Sequence, residues 1–245
     1  MLADRVAAGD IGLFAHIESQ TTDDDRRSLL AVHNGVATRT SPFSYLEIGS
    51  HLGGTLQVVI ADERCTRAVS IDPRPLSQPD DRADYPRFEY PGNSTKRMVE
   101  LLQDVPGADL SKLDTVEHST SDIVPQRLAR PDICFIDGEH TYRAALQDAR
   151  FCRDVMQGAG IIVFHDFHIV ERAILDFLRE TPRPHRGYLL ATSVFVVELC
   201  AVLTLFNDPS IHTQLSHGRA WEIANRARAV NWLLAADIRR RQTML

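Results

Sequence analysis

Two aspartates and two histidines in the middle of this 245-residue chain have the types and spacing to do chemistry. Asp137 and His140 follow one apolar run, Ile133-Cys134-Phe135-Ile136, and His165 and Asp166 follow another, Ile161-Ile162-Val163-Phe164. Two carboxylates at the ends of adjacent strands can converge on one hard cation such as Mg²⁺. An imidazole that titrates near neutrality can take the proton of an alcohol, which makes His140 the candidate general base. Imidazole binds Mg²⁺ poorly, so His165 leaves two readings: a softer ion such as Mn²⁺, or a histidine that orients a neighbour. Asp166 also has a plainer reading, as the cap of the helix that follows it.

A second constellation lies upstream. The apolar run at 45–48 includes Glu47 and opens into Gly49-Ser50-His51-Leu52-Gly53-Gly54-Thr55. Glycine has no Cβ, so a ligand can lie against such a turn and against the helix N-terminus that follows. The next run, Ala68-Val69-Ser70-Ile71, ends in Asp72, where a carboxylate can accept both ribose hydroxyls of a nucleoside. Asp72 suits a dinucleotide or another nucleoside equally. The glycines at 49, 53 and 54 do not make the G-x-G-x-x-G of a dinucleotide turn.

These residues need elements to hold them. The runs at 45–48, 68–71, 133–136 and 161–164 are continuously apolar, as strands of a parallel sheet covered on both faces should be, and 115–118 reads as a further strand. Their polar C-terminal ends would share one edge, where open α/β sheets bind ligands. Helices are expected from Thr22 or Asp23 to 36, and over 53–61, 94–103, 142–156 and 170–179. A hairpin is expected over 187–191 and 194–199, and mostly helix over 207–241. Residues 73–92, rich in Pro, Asp and Arg, read as a loop over the site. The chain divides into a helical extension or lid at 1–40, a core at 41–200 and a helical extension at 201–245.

Composition excludes several classes. With 44% hydrophobic residues the chain can bury the core of one α/β domain. A net charge of −6 argues against a nucleic-acid partner, and the one basic cluster, Arg239-Arg240-Arg241, reads as a solvated helix end. Cys65, Cys134, Cys152 and Cys200 make no C-x-x-C pair, which fits reduced thiols in the cytoplasm. No signal peptide is recognised and no apolar run is long enough to span a bilayer. Trp221 and Trp232, in apolar helices beyond a complete core, suggest a homodimer.

The stretch Glu47-Ile48-Gly49, then Asp72, then Ile136-Asp137-Gly138-Glu139-His140-Thr141-Tyr142, and finally Gly158-Ala159-Gly160 through His165-Asp166-Phe167, resembles the class I S-adenosylmethionine (SAM) methyltransferases. The likeness covers roughly residues 40–200 and is strongest to the small-molecule and sugar O-methyltransferases. It implies an α/β, Rossmann-like fold with a seven-stranded, mostly parallel sheet and a reversed final hairpin. Glu47, Gly49, Ser50, Gly53 and Thr55 would flank the methionine part of SAM, and Asp72 would hold the ribose. Ser119 and Thr120 would lie near adenine, although this chain has His118-Ser119-Thr120 where the family often has Gly-Asp-Ser. Asp137 would face the cofactor. By similarity to macrolide-sugar methyltransferases, Asp137, His165 and Asp166 would bind Mg²⁺ or Mn²⁺, beside His140 as base. Those relatives have an acid at the position of His165. The implied acceptor is a hydroxylated small molecule such as a sugar or glycoside. A metal-independent methyltransferase, a non-catalytic SAM-binding homologue and an NAD-dependent oxidoreductase are the alternatives.

Overall fold

The structure is a computed structural model and describes residues 1–82, 87–181, 185–191, 193–200 and 204–216. Among the described residues nine strands are formed: β1 (Phe43–Ile48), β2 (Cys65–Ile71), β3 (Ser77–Pro79), β4 (Arg87–Glu89), β5 (Leu113–Val116), β6 (Ile133–Ile136), β7 (Gly160–Phe164), β8 (His185–Leu190) and β9 (Val194–Leu199). Seven of them make one sheet in the order β5-β2-β1-β6-β7-β9-β8. All pairings from β5 to β7 are parallel, and β9 is antiparallel to both of its neighbours. The expected reversed hairpin is present, with its second strand inserted between β7 and β8.

Alternation along the strands explains why both faces read as apolar. Leu46, Ile48, Cys134, Ile136, Ile162 and Phe164 pack on one face against α5 (Tyr142–Val155) and α6 (Phe167–Glu180). Tyr45, Ala68, Ile133, Phe135, Ile161 and Val163 pack on the other, with residues of α2 (Asp23–Arg39), α3 (Leu56–Ala61) and α4 (Thr95–Gln103). Two short helices complete the described residues, α1 (Leu2–Ala7) and α7 (Pro209–Gln214).

Several boundaries differ from the expectation. α2 is capped by Thr22, whose hydroxyl accepts the Asp25 N–H. α3 begins at Leu56 rather than Gly53, because Gly53 is left-handed with φ +87° and closes a turn instead of opening a helix. β5 lies two residues earlier than expected. The loop at 73–92 contains the antiparallel pair β3–β4. Trp221, Trp232, the arginine triplet and most of the helix expected over 207–241 lie outside the described residues, and with them the expected dimer surface. Among the described residues no helix is long and apolar enough to cross a membrane, and all four cysteines are free.

Two packing details at the C-terminal edge are tight. At Gly49 (φ +86°) a Cβ would lie 2.1 Å from the Asp137 carbonyl oxygen, so β1 and β6 leave the sheet side by side only because residue 49 has no side chain. On α5, Asp148 is buried and accepts the Thr120 hydroxyl at 2.6 Å. Burial pushes its carboxyl up to about 7, against the pull of that hydrogen bond.

Gly49→Ala combines a positive φ with a backbone collision and is expected to cost about 3 kcal/mol or more. A urea midpoint equal to that of the native protein would contradict the tight crossing. Asp148→Asn tests the buried carboxyl. A carboxyl raised in the folded state aids folding at low pH and loses that advantage as pH climbs from about 4 through about 7. The Asn variant should therefore gain stability relative to the native protein over that window, by roughly 2–4 kcal/mol at its upper end. A difference that stays flat with pH would show that Asp148 is not protonated in the fold.

Candidate active site

Four hydrogen bonds extend the parallel ladder one residue past the strand ends. Gly49 N–H donates to Ile71 O (2.9 Å), Asp72 N–H to Val116 O (3.0 Å), Asp137 N–H to Ile48 O (2.9 Å) and His165 N–H to Ile136 O (3.0 Å). Residues 49, 72, 137 and 165 are thereby fixed in one row along the carboxyl edge of the sheet. The cleft above that row is lined by Gly49, Ser50, His51, Gly54, Thr55, Asp72, Asp137 and His140.

The end of the cleft at Asp72 is preorganised by backbone. Asp72 accepts the His51 N–H at 2.9 Å and the Arg74 N–H at 2.8 Å, and the buried Arg74 guanidinium lies 3.2 Å from it. Arg74 also donates to the His51 carbonyl and to Asn93 Oδ1. The Ser70 hydroxyl donates to Ser50 Oγ at 2.8 Å. Glu47 is buried below the cleft, accepting Tyr45 Oη at 2.7 Å and Thr55 Oγ1 at 2.9 Å. Burial pushes its carboxyl up to about 7. Glu47 holds the turn from beneath, and Gly53 packs on Met98 and Leu102. Ser119 is exposed and the Thr120 hydroxyl is committed to Asp148; neither is among the residues that line the cleft.

One wall comes from the N-terminal extension expected over residues 1–40. Glu18, Ser19, Gln20 and Thr21 line the cleft opposite the sheet. The Gln57 amide holds that segment. Its Oε1 accepts the N–H groups of His16 and Ile17, both at 3.1 Å, and its Nε2 donates to Ile17 O at 2.8 Å and Gly54 O at 2.6 Å. A Cβ on residue 54 would stand 2.5 Å from Ser19 Cβ, so this contact accounts for the second glycine of the pair.

The titratable groups gather at the other end. His140 Nε2 lies 3.4 Å from both Asp137 Oδ1 and Asp166 Oδ2. Among the described residues Asp137, His140 and Asp166 form a potential metal-ion donor set, each offering one atom, all within 4.8 Å of one another. His165, expected among the ligands, is not part of it. Its Nδ1 is 3.0 Å from Asp137 Oδ1 and its Nε2 is 3.4 Å from Asp25 Oδ2, so both ring nitrogens face carboxylates. His165 orients Asp137, and His140 takes its place in the donor set. Asp166 does not cap α6: it is left-handed (φ 49°) and its side chain makes no cap hydrogen bond.

Burial opposes charge throughout the cluster, and the ion pairs overcome it. Desolvation alone would raise Asp137, but the His165 and His140 imidazoles hold it well below the usual carboxylate range. Desolvation would likewise lower both imidazoles. Asp137 and Asp166 with Asp80 raise His140, and Asp137 with Asp25 raises His165 well above its ordinary value. Asp25 and Asp80 were not singled out from the sequence. Asp25 reads there as a first-turn helix acid, and Asp80 lies in the least regular stretch.

Residues 46–167 match a family model described as a methyltransferase domain. An uncharacterised protein, R132, of Acanthamoeba polyphaga mimivirus is 25% identical over 126 residues, 51% of this chain and 51% of that protein. This chain therefore matches about half the length of that relative. Among solved structures, the O-methyltransferase NovP aligns with a TM-score of 0.56 at 13% identity, over 70% of this chain and 77% of its own. CalS11, a calicheamicin methyltransferase, aligns at 0.52 and 16% identity, over 80% and 91%. A putative O-methyltransferase from Klebsiella pneumoniae aligns at 0.50 and 14% identity, over 81% and 89%. At these identities the structures speak to the fold, and they share it. With the sheet order, the glycine turn and the family match in agreement, the chain belongs to the class I SAM-dependent methyltransferases.

Proposed function

We propose that this protein is an O-methyltransferase that moves the methyl group of SAM to a hydroxyl of a sugar or another polyhydroxylated small molecule. The observation that carries the reading is that Asp137 and His140 line the same cleft as Gly49 and Asp72, with Asp166 beside them in one donor set. The wall of Glu18, Ser19, Gln20 and Thr21 supports a hydroxylated acceptor, since it offers acceptors and donors and little apolar surface. Two of the structural neighbours are named as O-methyltransferases, which favours oxygen over nitrogen or carbon. The free cysteines suit a reducing, cytoplasmic setting.

SAM supplies a sulfonium-bound methyl that needs no further activation. The protein's share is then placement and proton handling. Asp72 takes the ribose hydroxyls, and Gly49 with Ser50 lets the methionine part lie against backbone. His140 Nε2 receives the proton of the attacking hydroxyl as the oxygen–carbon bond forms and the carbon–sulfur bond breaks. The donor set of two carboxylate oxygens and one imidazole nitrogen fits a divalent cation, and Mn²⁺ better than Mg²⁺; with such an ion on Nε2, His140 would be a ligand rather than the base. Held by Asp137, His140 and Asp166, such an ion would acidify a bound hydroxyl and offset part of the negative field of the carboxylates.

Asp72→Ala should weaken S-adenosylhomocysteine binding by about 1–3 kcal/mol, the worth of hydrogen bonds to a charged acceptor. Equal calorimetric affinities would displace the cofactor from this end of the cleft. Mn²⁺ titrated into protein saturated with S-adenosylhomocysteine should release heat with the native chain and none with Asp137→Ala or Asp166→Ala. Silence from the native chain would remove the cation and leave His140 as a lone base.

A further inference from the structure

The stretch between β3 and β4 is tied to the candidate active site through His140. The Asp81 N–H donates to the His140 carbonyl at 3.0 Å, and the Tyr142 N–H donates to Asp81 Oδ2 at 2.7 Å. These bonds bring Asp80 and Arg82 against the imidazole edge that faces away from the cleft. The Asp80 side chain is 1% exposed, with Oδ2 3.2 Å from His140 Nδ1. Arg82 Nη2 lies at the same 3.2 Å from Nδ1.

Carboxylates face both ring nitrogens of His140, and a carboxylate can only accept: Asp137 and Asp166 lie 3.4 Å from Nε2, while Asp80 lies closer to Nδ1, at 3.2 Å. If Nδ1 donates to Asp80, the lone pair is on Nε2 and faces Asp137 and Asp166. If Nδ1 accepts from Arg82, the proton is on Nε2, which then can neither receive a proton nor ligate a cation. The guanidinium is already engaged. Its Nε reaches Asp80 Oδ1 at 2.8 Å and its Nη2 reaches Asp80 Oδ2 at 2.6 Å, a two-pronged pairing that satisfies Arg82 and fixes the carboxylate.

We propose that Asp80 is a positioning residue: clamped by Arg82, it takes the Nδ1–H of His140 and leaves the Nε2 lone pair aimed between Asp137 and Asp166. The inference rests on the proposed role of His140, and it assigns part of the site to the stretch around β3 and β4. A carboxylate behind a functional histidine fixes tautomer and ring orientation, and its loss typically weakens a metal site by about 10–100-fold.

The experiment is a two-bond ¹⁵N–¹H correlation spectrum of histidine-labelled protein, recorded with the His140 ring neutral and assigned by the signal lost in His140→Gln. The native chain should show Nδ1–H. Asp80→Asn should move the proton to Nε2, and Arg82→Met should leave it on Nδ1. Native Nε2–H would overturn the proposal, because the carboxylates at Nε2 or Arg82 would then outweigh Asp80, and a switch in Arg82→Met with none in Asp80→Asn would make Arg82 the determinant. Mn²⁺ calorimetry on the same proteins, loaded with S-adenosylhomocysteine, separates this from the cation reading. Asp80→Asn should bind about 10–100-fold more weakly with S-adenosylhomocysteine affinity retained, and native-like Mn²⁺ affinity would count against Asp80. A native chain that binds no Mn²⁺ refutes the cation alone, and the tautomer then stands or falls by the spectrum.

Discussion

Asp25, Asp80, Asp137 and Asp166 crowd around two imidazoles at one end of the sheet, and burying so much negative charge is affordable only with positive charge beside it. His165, between Asp25 and Asp137, and His140, among Asp80, Asp137 and Asp166, are each drawn toward their protonated forms by these carboxylates, with Arg82 on the outer flank. The requirement reaches beyond the sheet edge. Asp25 belongs to α2 and Asp80 to the stretch after β3, so two peripheral elements are fastened to the site by charge as well as by packing. Removing one partner would strand the others in a low-dielectric setting, which is why the cluster behaves as a unit.

The sheet was largely legible because a strand covered on both faces has to be apolar at every position. β6 was delimited correctly for that reason, as its four residues are all buried. Gly49, Asp72, Asp137 and Asp166 were legible because each follows such a run. The start of α3 was not, since a left-handed Gly53 is a matter of backbone geometry that residue types alone do not specify. The role of His165 was legible only as one of two alternatives. Its second nitrogen faces Asp25, a partner 140 residues away in sequence, and no local pattern announces such a contact.

The N-terminal segment shows the same limit from another side. Gln57 looks like one more polar residue in a helix, yet its amide is buried and bonds to backbone groups of His16, Ile17 and Gly54. A buried amide satisfied at both ends fixes two chain segments against each other more specifically than apolar packing does. The glycine turn is therefore shaped from three sides: by Asp137 backbone at Gly49, by Ser19 at Gly54, and by Glu47 underneath. A fold shared widely across a family acquires its individual cleft through such additions.

The hydroxyl of Ser193, on the turn between β8 and β9, donates to Asp25, and the two residues are 168 positions apart. That bond gives the site a history as well as a shape. While the chain is being synthesised, Asp25, Asp80, Asp137, His140, His165 and Asp166 all leave the ribosome before the turn that completes the support of the first of them. The carboxylate cluster therefore cannot reach its final arrangement until the hairpin at the far edge of the sheet has been made.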